Sequence, residues 1–460
     1  MESTTIQKAI VSNESTSLKG GLKSRHLSMI SIAGVIGGAL FVGSGKVIAS
    51  AGPAAILAYL AGGLLVVLVM RMLGEMAVAH PDTGSFSTYA DRAIGRWAGF
   101  SIGWLYWYFW ALLMGWEAYV AGKILNLWFP MIPIWGYMLI VTLSLMFINM
   151  LNVKNYGEFE FWMALIKISA IVLMIVLGLY LIFTSPQSFP DNFSNIWSNG
   201  GFLPNGWWGL ALSITVVMFS FGGIELIGIT AGEAENPEQT IPQAINQVIW
   251  RILLFYVGTM AVLMALWPWN KVGMDASPFV QIFSYVGVPA AAHILNFVVL
   301  TAAVSVYNSA IYSNSRMLYG LASKDEAPEF MGRLSGRGVP VNGIFVSSGI
   351  TLICVALNYF FPGKVFMILM SVATIAATIS WMTIAITHLK FRQHCMATGK
   401  TIKFRSPLYP LTNYLCIAFL VGVWVFMTQI PDMQLAVWLL PVWLLILWLG
   451  YCYQEKRNRA

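Results

Sequence analysis

About twelve predominantly apolar runs follow one another along the chain, each near the length of a bilayer-crossing helix. A hydrocarbon core ~30 Å thick needs about 20 apolar residues in helical form, and backbone polar groups at that depth must be satisfied within the segment. The runs lie at roughly 28–48, 53–79, 98–127, 133–152, 160–184, 207–232, 246–269, 292–322, 341–361, 365–389, 409–430 and 434–453. Of the 460 residues 58% are hydrophobic and only 10% charged, whereas a water-soluble domain carries about 25% charged residues. The expected class is an all-α integral membrane protein with twelve transmembrane helices.

The basic residues set an orientation. Lys19, Lys23, Arg25, Arg92, Arg96, Lys154, Lys324, Arg333, Lys390, Arg392, Lys400 and Lys456 all fall on one side if both termini are inside, leaving mainly Lys271 and Lys364 on the other. By the positive-inside rule both termini are cytoplasmic. The polar stretch 1–27 has no signal-peptide h-region and reads as a cytoplasmic tail, as does 454–460. The net charge of +7 is spread over span ends rather than along a stripe, so no nucleic-acid partner is expected. Cys354, Cys395, Cys416 and Cys452 are scattered, which predicts neither disulfides nor a metal site, and no cofactor motif is present. The outer segment "NKVGMDASPFVQIFSYVGVPAAA" holds a short apolar piece that reads as an interfacial lid.

Two spans read as interrupted by glycine, which in a helix interior costs about 1 kcal/mol against alanine. The first carries Gly34, Gly37, Gly38, Gly43 and Gly45, and the sixth carries Gly222 and Gly223 with Glu225 close behind. A broken helix at membrane depth is tolerated where it lines a cavity or is buried in protein, and breaks at matching places in two halves point to a transporter site. The adjacent pairs Gly37-Gly38 and Gly222-Gly223 read as unwound, while Gly43 and Gly45 read as close-packing positions. Freed N–H groups of Val35 to Ala39 suit an anion, and freed carbonyls around Phe219 to Phe221 suit a cation. A zwitterionic amino acid supplies both.

Three ionisable residues inside spans are singled out, since a functional role is the default there. Lys167 lies about two turns into the fifth span, either snorkelling or held in the interior to gain and lose a proton. Glu117 sits in mid-span in the third, and Glu225 beside the sixth-span break; each is either a proton carrier or a hydrogen-bonding group. The eighth span offers Ser305, Asn308, Ser309 and Tyr312 at helical spacing, with Ser309 the expected partner of Lys167. A channel would need a filter-like repeat or rings of charge, and a membrane enzyme a catalytic constellation; the spans offer neither.

The stretches "GLKSRHLSMISIAGVIGGALFVGSG", "RMLGEMAVAHPDTGSFSTYADRAIG", "VKNYGEFEFWMALIKI", "MFSFGGIELIGITAGEAENPEQTIPQAINQVIWRI" and "SVYNSAIYSNSRMLYGLASKDEAP" resemble the bacterial amino-acid permeases of the amino acid–polyamine–organocation superfamily. The resemblance runs from Gly20 to about Tyr453. It implies a LeuT-like fold, a five-plus-five inverted repeat with helices 1 and 6 broken: 28–184 as repeat one, 207–389 as repeat two, and 409–453 as two added helices. It also implies proton-coupled uptake of amino acids across the bacterial inner membrane by a monomeric unit. On that template Ile36, Gly37, Gly38 and Ala39 bind the substrate carboxylate, and Phe219, Ser220 and Phe221 bind its amine. Lys167 takes the place of a sodium ion and carries the proton, and Glu117 matches the third-helix carboxylate.

One departure is Ala39, which stands where many members have glycine after a Ser or Thr; the hydroxyl is lost and the N–H groups remain. From the sixth span onward the chain is most similar to aromatic amino-acid and phenylalanine permeases, while its first three spans are more similar to the GABA permeases. Trp116, Tyr119, Phe219 and Tyr307 are available to wall an apolar slot, which favours an aromatic or other large neutral L-amino acid, with GABA as the alternative.

Overall fold

A computed structural model describes residues 36–82, 85–151, 154–184, 191–226, 228, 237–273, 277–285, 289–363 and 365–459. The expectations at Gly34 and Val35 and in the 1–27 tail lie outside these residues. Helices stand over the expected apolar runs, and no strand occurs among the described residues. They are α1 (Ser44–Ala51), α2 (Ala55–Ala79), α3 (Ser85–Ala93), α4 (Arg96–Trp128), α5 (Ile134–Leu151), α6 (Lys154–Thr184), α7 (Asp191–Ser198) and α8 (Gly206–Ser220). There follow α9 (Pro237–Arg251), α10 (Thr259–Leu266), α11 (Pro278–Tyr285), α12 (Pro289–Ser323), α13 (Val341–Phe360), α14 (Val365–Thr398), α15 (Leu411–Met427) and α16 (Pro431–Arg459). Wider π-type turns, a geometry that clusters at functional sites, precede α1 at Ala39–Gly43 and join α9 to α10 at Ile252–Gly258.

Among the described residues seven helical stretches are long and apolar enough to cross a membrane, and Ile134–Met150, Gly206–Ser220 and Leu411–Met427 are shorter apolar helices. Several helices outrun their apolar windows. α6 starts at Lys154 rather than 160, α9 at Pro237 rather than 246, and α14 continues to Thr398 rather than 389. Hydropathy locates the part of a helix that sits in hydrocarbon, whereas the helix itself ends at a break in backbone bonding.

α4 is the hub. It buries residues on every face between Ala98 and Ile124, as a helix enclosed by others must, and it packs along α12, α14 and α5. Lipid-facing helices show the opposite pattern; α16, for example, exposes Trp438, Leu445 and Trp448. The outer segment expected to lie in the interface forms α11, and its Phe279, Ile282 and Phe283 are buried in protein. Phe279 lies against Phe41 of the first span with ring centroids 5.0 Å apart. The other outer loop folds α7, where the Asn195 side-chain amide donates to the Ala265 carbonyl at 2.8 Å.

At the opposite end Glu75 of α2 is fully buried. It accepts hydrogen bonds from the Ser406 N–H and from Arg392 of α14 at 3.1 Å, with His388 Nε2 also at 3.1 Å. The 399–410 loop is thereby strapped onto α2, and Lys403 reaches on to Glu238 of α9. Removing one member of a buried ion pair leaves the other charge unpaired, at a cost of about 3–5 kcal/mol. Glu75→Ala is therefore expected to lower the thermal midpoint of the detergent-solubilised protein clearly, read by thermal unfolding, whereas Lys403→Ala on the exposed pair leaves it almost unchanged.

Candidate functional site

The described part of the first span opens with a bend at Ile36 and Gly37, and from Gly38 the chain is helical and enters the wide turn. Gly38 N–H donates to both carboxylate oxygens of Glu117, at 3.1 and 3.2 Å. A Cβ on Gly37 would run into the same carboxylate and lie 3.0 Å from Val306 Cγ2; one on Gly38 would lie 2.8 Å from Val120 Cγ2. The glycine pair therefore makes room for the close approach of Glu117 and Val120 of α4 and Val306 of α12. A carboxylate does sit on the Gly38 N–H, and it belongs to the protein. Gly43 corrects an expectation: a Cβ there would meet nothing within 4 Å among the described residues, so no close neighbour demands glycine.

The sixth span breaks where expected. α8 ends at Ser220, and the turn that follows sets Gly223 at φ +97°, a backbone region that favours glycine. The carbonyls expected to be free are engaged: Phe219 accepts from Gly222 N–H at 3.1 Å and from the Phe221 N–H, Ser220 from the Tyr256 hydroxyl at 3.0 Å, and Phe221 from Ile224 N–H at 3.4 Å. A carbonyl oxygen has two lone pairs, so one donor does not exhaust the Ser220 or the Phe221 oxygen. The Ser220 hydroxyl donates to the Ala39 carbonyl at 3.3 Å and joins the two breaks. Glu225 accepts from Gly223 N–H at 3.2 Å and from the Trp381 indole of α14 at 3.1 Å. That is the geometry of a hydrogen-bonding brace for the turn.

Of the aromatic residues proposed as walls, the structure brings Trp116 and Phe219 together edge to face, ring centroids 4.8 Å apart, both buried. Tyr119 is buried one turn along α4 from Trp116. Tyr307 is directed elsewhere, its hydroxyl toward Thr142 of α5 and Thr351 of α13. Its neighbour Val306 is the α12 residue that meets the first-span break. One residue on a helix is a turn of about 100°, which is enough to exchange their places.

Lys167 is fully buried, so the snorkelling alternative does not describe this structure. Its ammonium interacts electrostatically with two carboxylates, Glu160 most strongly and Glu117 second. Glu160 was not expected. It is fully buried and accepts from the Ser305 hydroxyl at 2.6 Å and the Asn308 amide at 3.1 Å. Ser309, expected beside Lys167, has its hydroxyl at Glu160. The available signal was the seven-residue spacing of Glu160 and Lys167, which puts both on one face of a helix. It was masked because the apolar run begins at Glu160, where a carboxylate is unremarkable. From Gly38 through Glu117 and Lys167 to Glu160, the first-span break is thus connected to the Lys154 end of α6 by charged side chains.

The family model "Amino acid permease" matches residues 26–460. The aromatic amino acid transport protein AroP of Escherichia coli strain K12 is 47% identical over 443 residues, covering 96% of this chain and 97% of that protein. AroP of Salmonella typhimurium strain LT2 is 47% identical over 439 residues, 95% and 96% of the two chains. A gamma-aminobutyric acid permease of Bacillus subtilis strain 168 is 45% identical over 448 residues, 97% and 96% of the two chains.

Proposed function

The chain belongs to the amino acid permease family, is a multi-pass membrane protein, and, we propose, imports aromatic L-amino acids across the bacterial inner membrane together with protons. The supporting observation for substrate class is the buried Trp116–Phe219 edge-to-face pair beside the two breaks. An aromatic side chain fits against such a wall with the offset or edge-on contacts that aromatic pairs prefer. GABA, the cargo named for one relative, is short and would leave that wall uncovered. We infer twelve crossings in an inverted repeat, both termini in the cytoplasm, and one chain as the working unit, because the broken spans, Lys167 and the aromatic wall all come from a single copy.

The substrate carboxylate docks at Ile36, Gly37, Gly38 and Ala39, and its ammonium at the carbonyls of Phe219, Ser220 and Phe221. Glu117 already holds Gly38 N–H, so a second carboxylate there meets a like charge in low dielectric. Two carboxylates at one site are tolerated when a proton accompanies them or one moves away. Substrate arrival therefore releases Glu117 toward Lys167 and changes what that ammonium is paired with. Binding and proton movement are coupled by this single displacement, and the cargo passes through chemically unchanged.

Competition uptake in proteoliposomes under an imposed proton gradient tests the substrate class. Phenylalanine, tyrosine and tryptophan are expected to suppress labelled phenylalanine uptake, with GABA and histidine having little effect. Suppression by GABA at concentrations equal to those of phenylalanine would move the assignment to the small-zwitterion reading.

A further inference from the structure

The site described above loads a proton near Gly38 but leaves open where the proton goes. We propose that Glu160 is the acceptor that receives it from Lys167 and passes it to the cytoplasmic side. The proposal rests on the reading of Lys167 as the proton carrier and adds the next residue in the path.

The hydrogen bonds around Glu160 are directional. Asn149 of α5 donates its amide both to the Leu145 carbonyl, at 2.9 Å, and to Asn308 Oδ1, at 2.7 Å. A backbone carbonyl only accepts, so the Asn149 amide is fixed in orientation and Asn308 Oδ1 is held as an acceptor. The Asn308 NH2 group must then donate, and it does so to Glu160 Oε1. Oε1 is locked as an acceptor. Oε2 faces the Ser305 hydroxyl, which can rotate to donate to a carboxylate or to accept from a carboxylic acid. Oε2 is therefore the oxygen that can carry a proton without breaking the network.

Position agrees with this role. Glu160 and Lys167 lie seven residues apart on α6, about 10 Å along the axis and on one face. Glu158, only two residues from Glu160, is exposed at the Lys154 end, the end assigned to the cytoplasm. Among the described residues the titratable groups acting around this relay are Lys167 on α6 and Glu117 on α4; α5 and α12 contribute neutral amides and hydroxyls. A link holding α6 to α12 would be served by a neutral amide, without the desolvation cost of a carboxylate. In the step itself the Lys167 ammonium gives its proton to Glu160 Oε2, leaving a neutral amine and a neutral acid. Glu160 then releases the proton to cytoplasmic water, and Lys167 regains one from the Glu117 side.

Glu160→Gln is a close isostere: its oxygen accepts from Asn308 and its NH2 donates to Ser305, so the α6–α12 bonds survive while the acceptor is lost. In proteoliposomes with labelled L-phenylalanine, gradient-driven accumulation is expected to fall at least about tenfold, the lower range for a lost acid–base group. Counterflow at equal pH, which needs no net proton release, is expected to stay within about threefold of wild type. Wild-type accumulation overturns the proposal, and so does an equal fall in both measurements, which would make Glu160 a structural tie. If Glu160→Gln does not reach the membrane folded, Ser305→Ala is judged by the same split: accumulation reduced severalfold with counterflow kept supports the relay, and any other pattern overturns it. Lys167→Ala run in parallel separates the two readings, since normal accumulation there rejects the carrier itself, whereas its failure beside a normal Glu160→Gln rejects the acceptor alone.

Discussion

Lys167→Ala is expected to abolish proton-driven accumulation of substrate, by about 100-fold or more, the scale on which a lost general acid–base group is felt. Counterflow of labelled against unlabelled substrate should persist at a reduced rate, because the breaks and the Trp116–Phe219 wall are untouched. The physical reason is that Lys167 is the only cation interacting with the buried Glu117 and Glu160 among the described residues. Without it both carboxylates must hold protons or lose stability, and neither can cycle. The readout is substrate accumulation at a series of external pH values with counterflow as the control for folding. Wild-type pH dependence in this variant would remove Lys167 from the coupling mechanism.

Gly37→Val carries the second large effect. A Cβ at Gly37 already collides with the Glu117 carboxylate and crowds Val306 Cγ2 at 3.0 Å, and valine adds two further methyl groups. Glu117 is the tip of a flexible side chain and can withdraw, so the helix pair can still assemble. The space that a substrate carboxylate needs is nonetheless filled. Binding measured by ligand-dependent thermal shift is expected to weaken by about 100-fold or more, equivalent to at least about 2.7 kcal/mol. Unchanged affinity would place the carboxylate elsewhere.

What the sequence made legible was whatever is costly in hydrocarbon. Glu117, Lys167 and Glu225 stood out as charges deep in apolar runs, and Gly37-Gly38 and Gly222-Gly223 as glycine pairs. Long-range partnership was not legible in the same way. That Gly38 N–H is occupied by a residue 79 positions away depends on how α4 lies against the break. Tyr307 and Val306 differ by one helical step, and which of them faces the site is a matter of helix rotation that no residue count fixes. Glu160 escaped notice because hydropathy marks the edge of the membrane and not the edge of burial. Its chain-neighbours Glu158 and Phe159 are exposed while it is enclosed by α12.

The Glu117–Gly38 contact has a kinetic meaning for an importer. On the proposed reading, the cargo competes with a tethered ligand that never diffuses away, and such a ligand acts at an effective concentration in the millimolar range or above. The observed affinity is then the intrinsic affinity multiplied by the fraction of time that internal rival leaves the site free. Such a pocket gives up tight binding and gains rapid discharge, since Glu117 is always at hand to reclaim the backbone amide as the amino acid leaves.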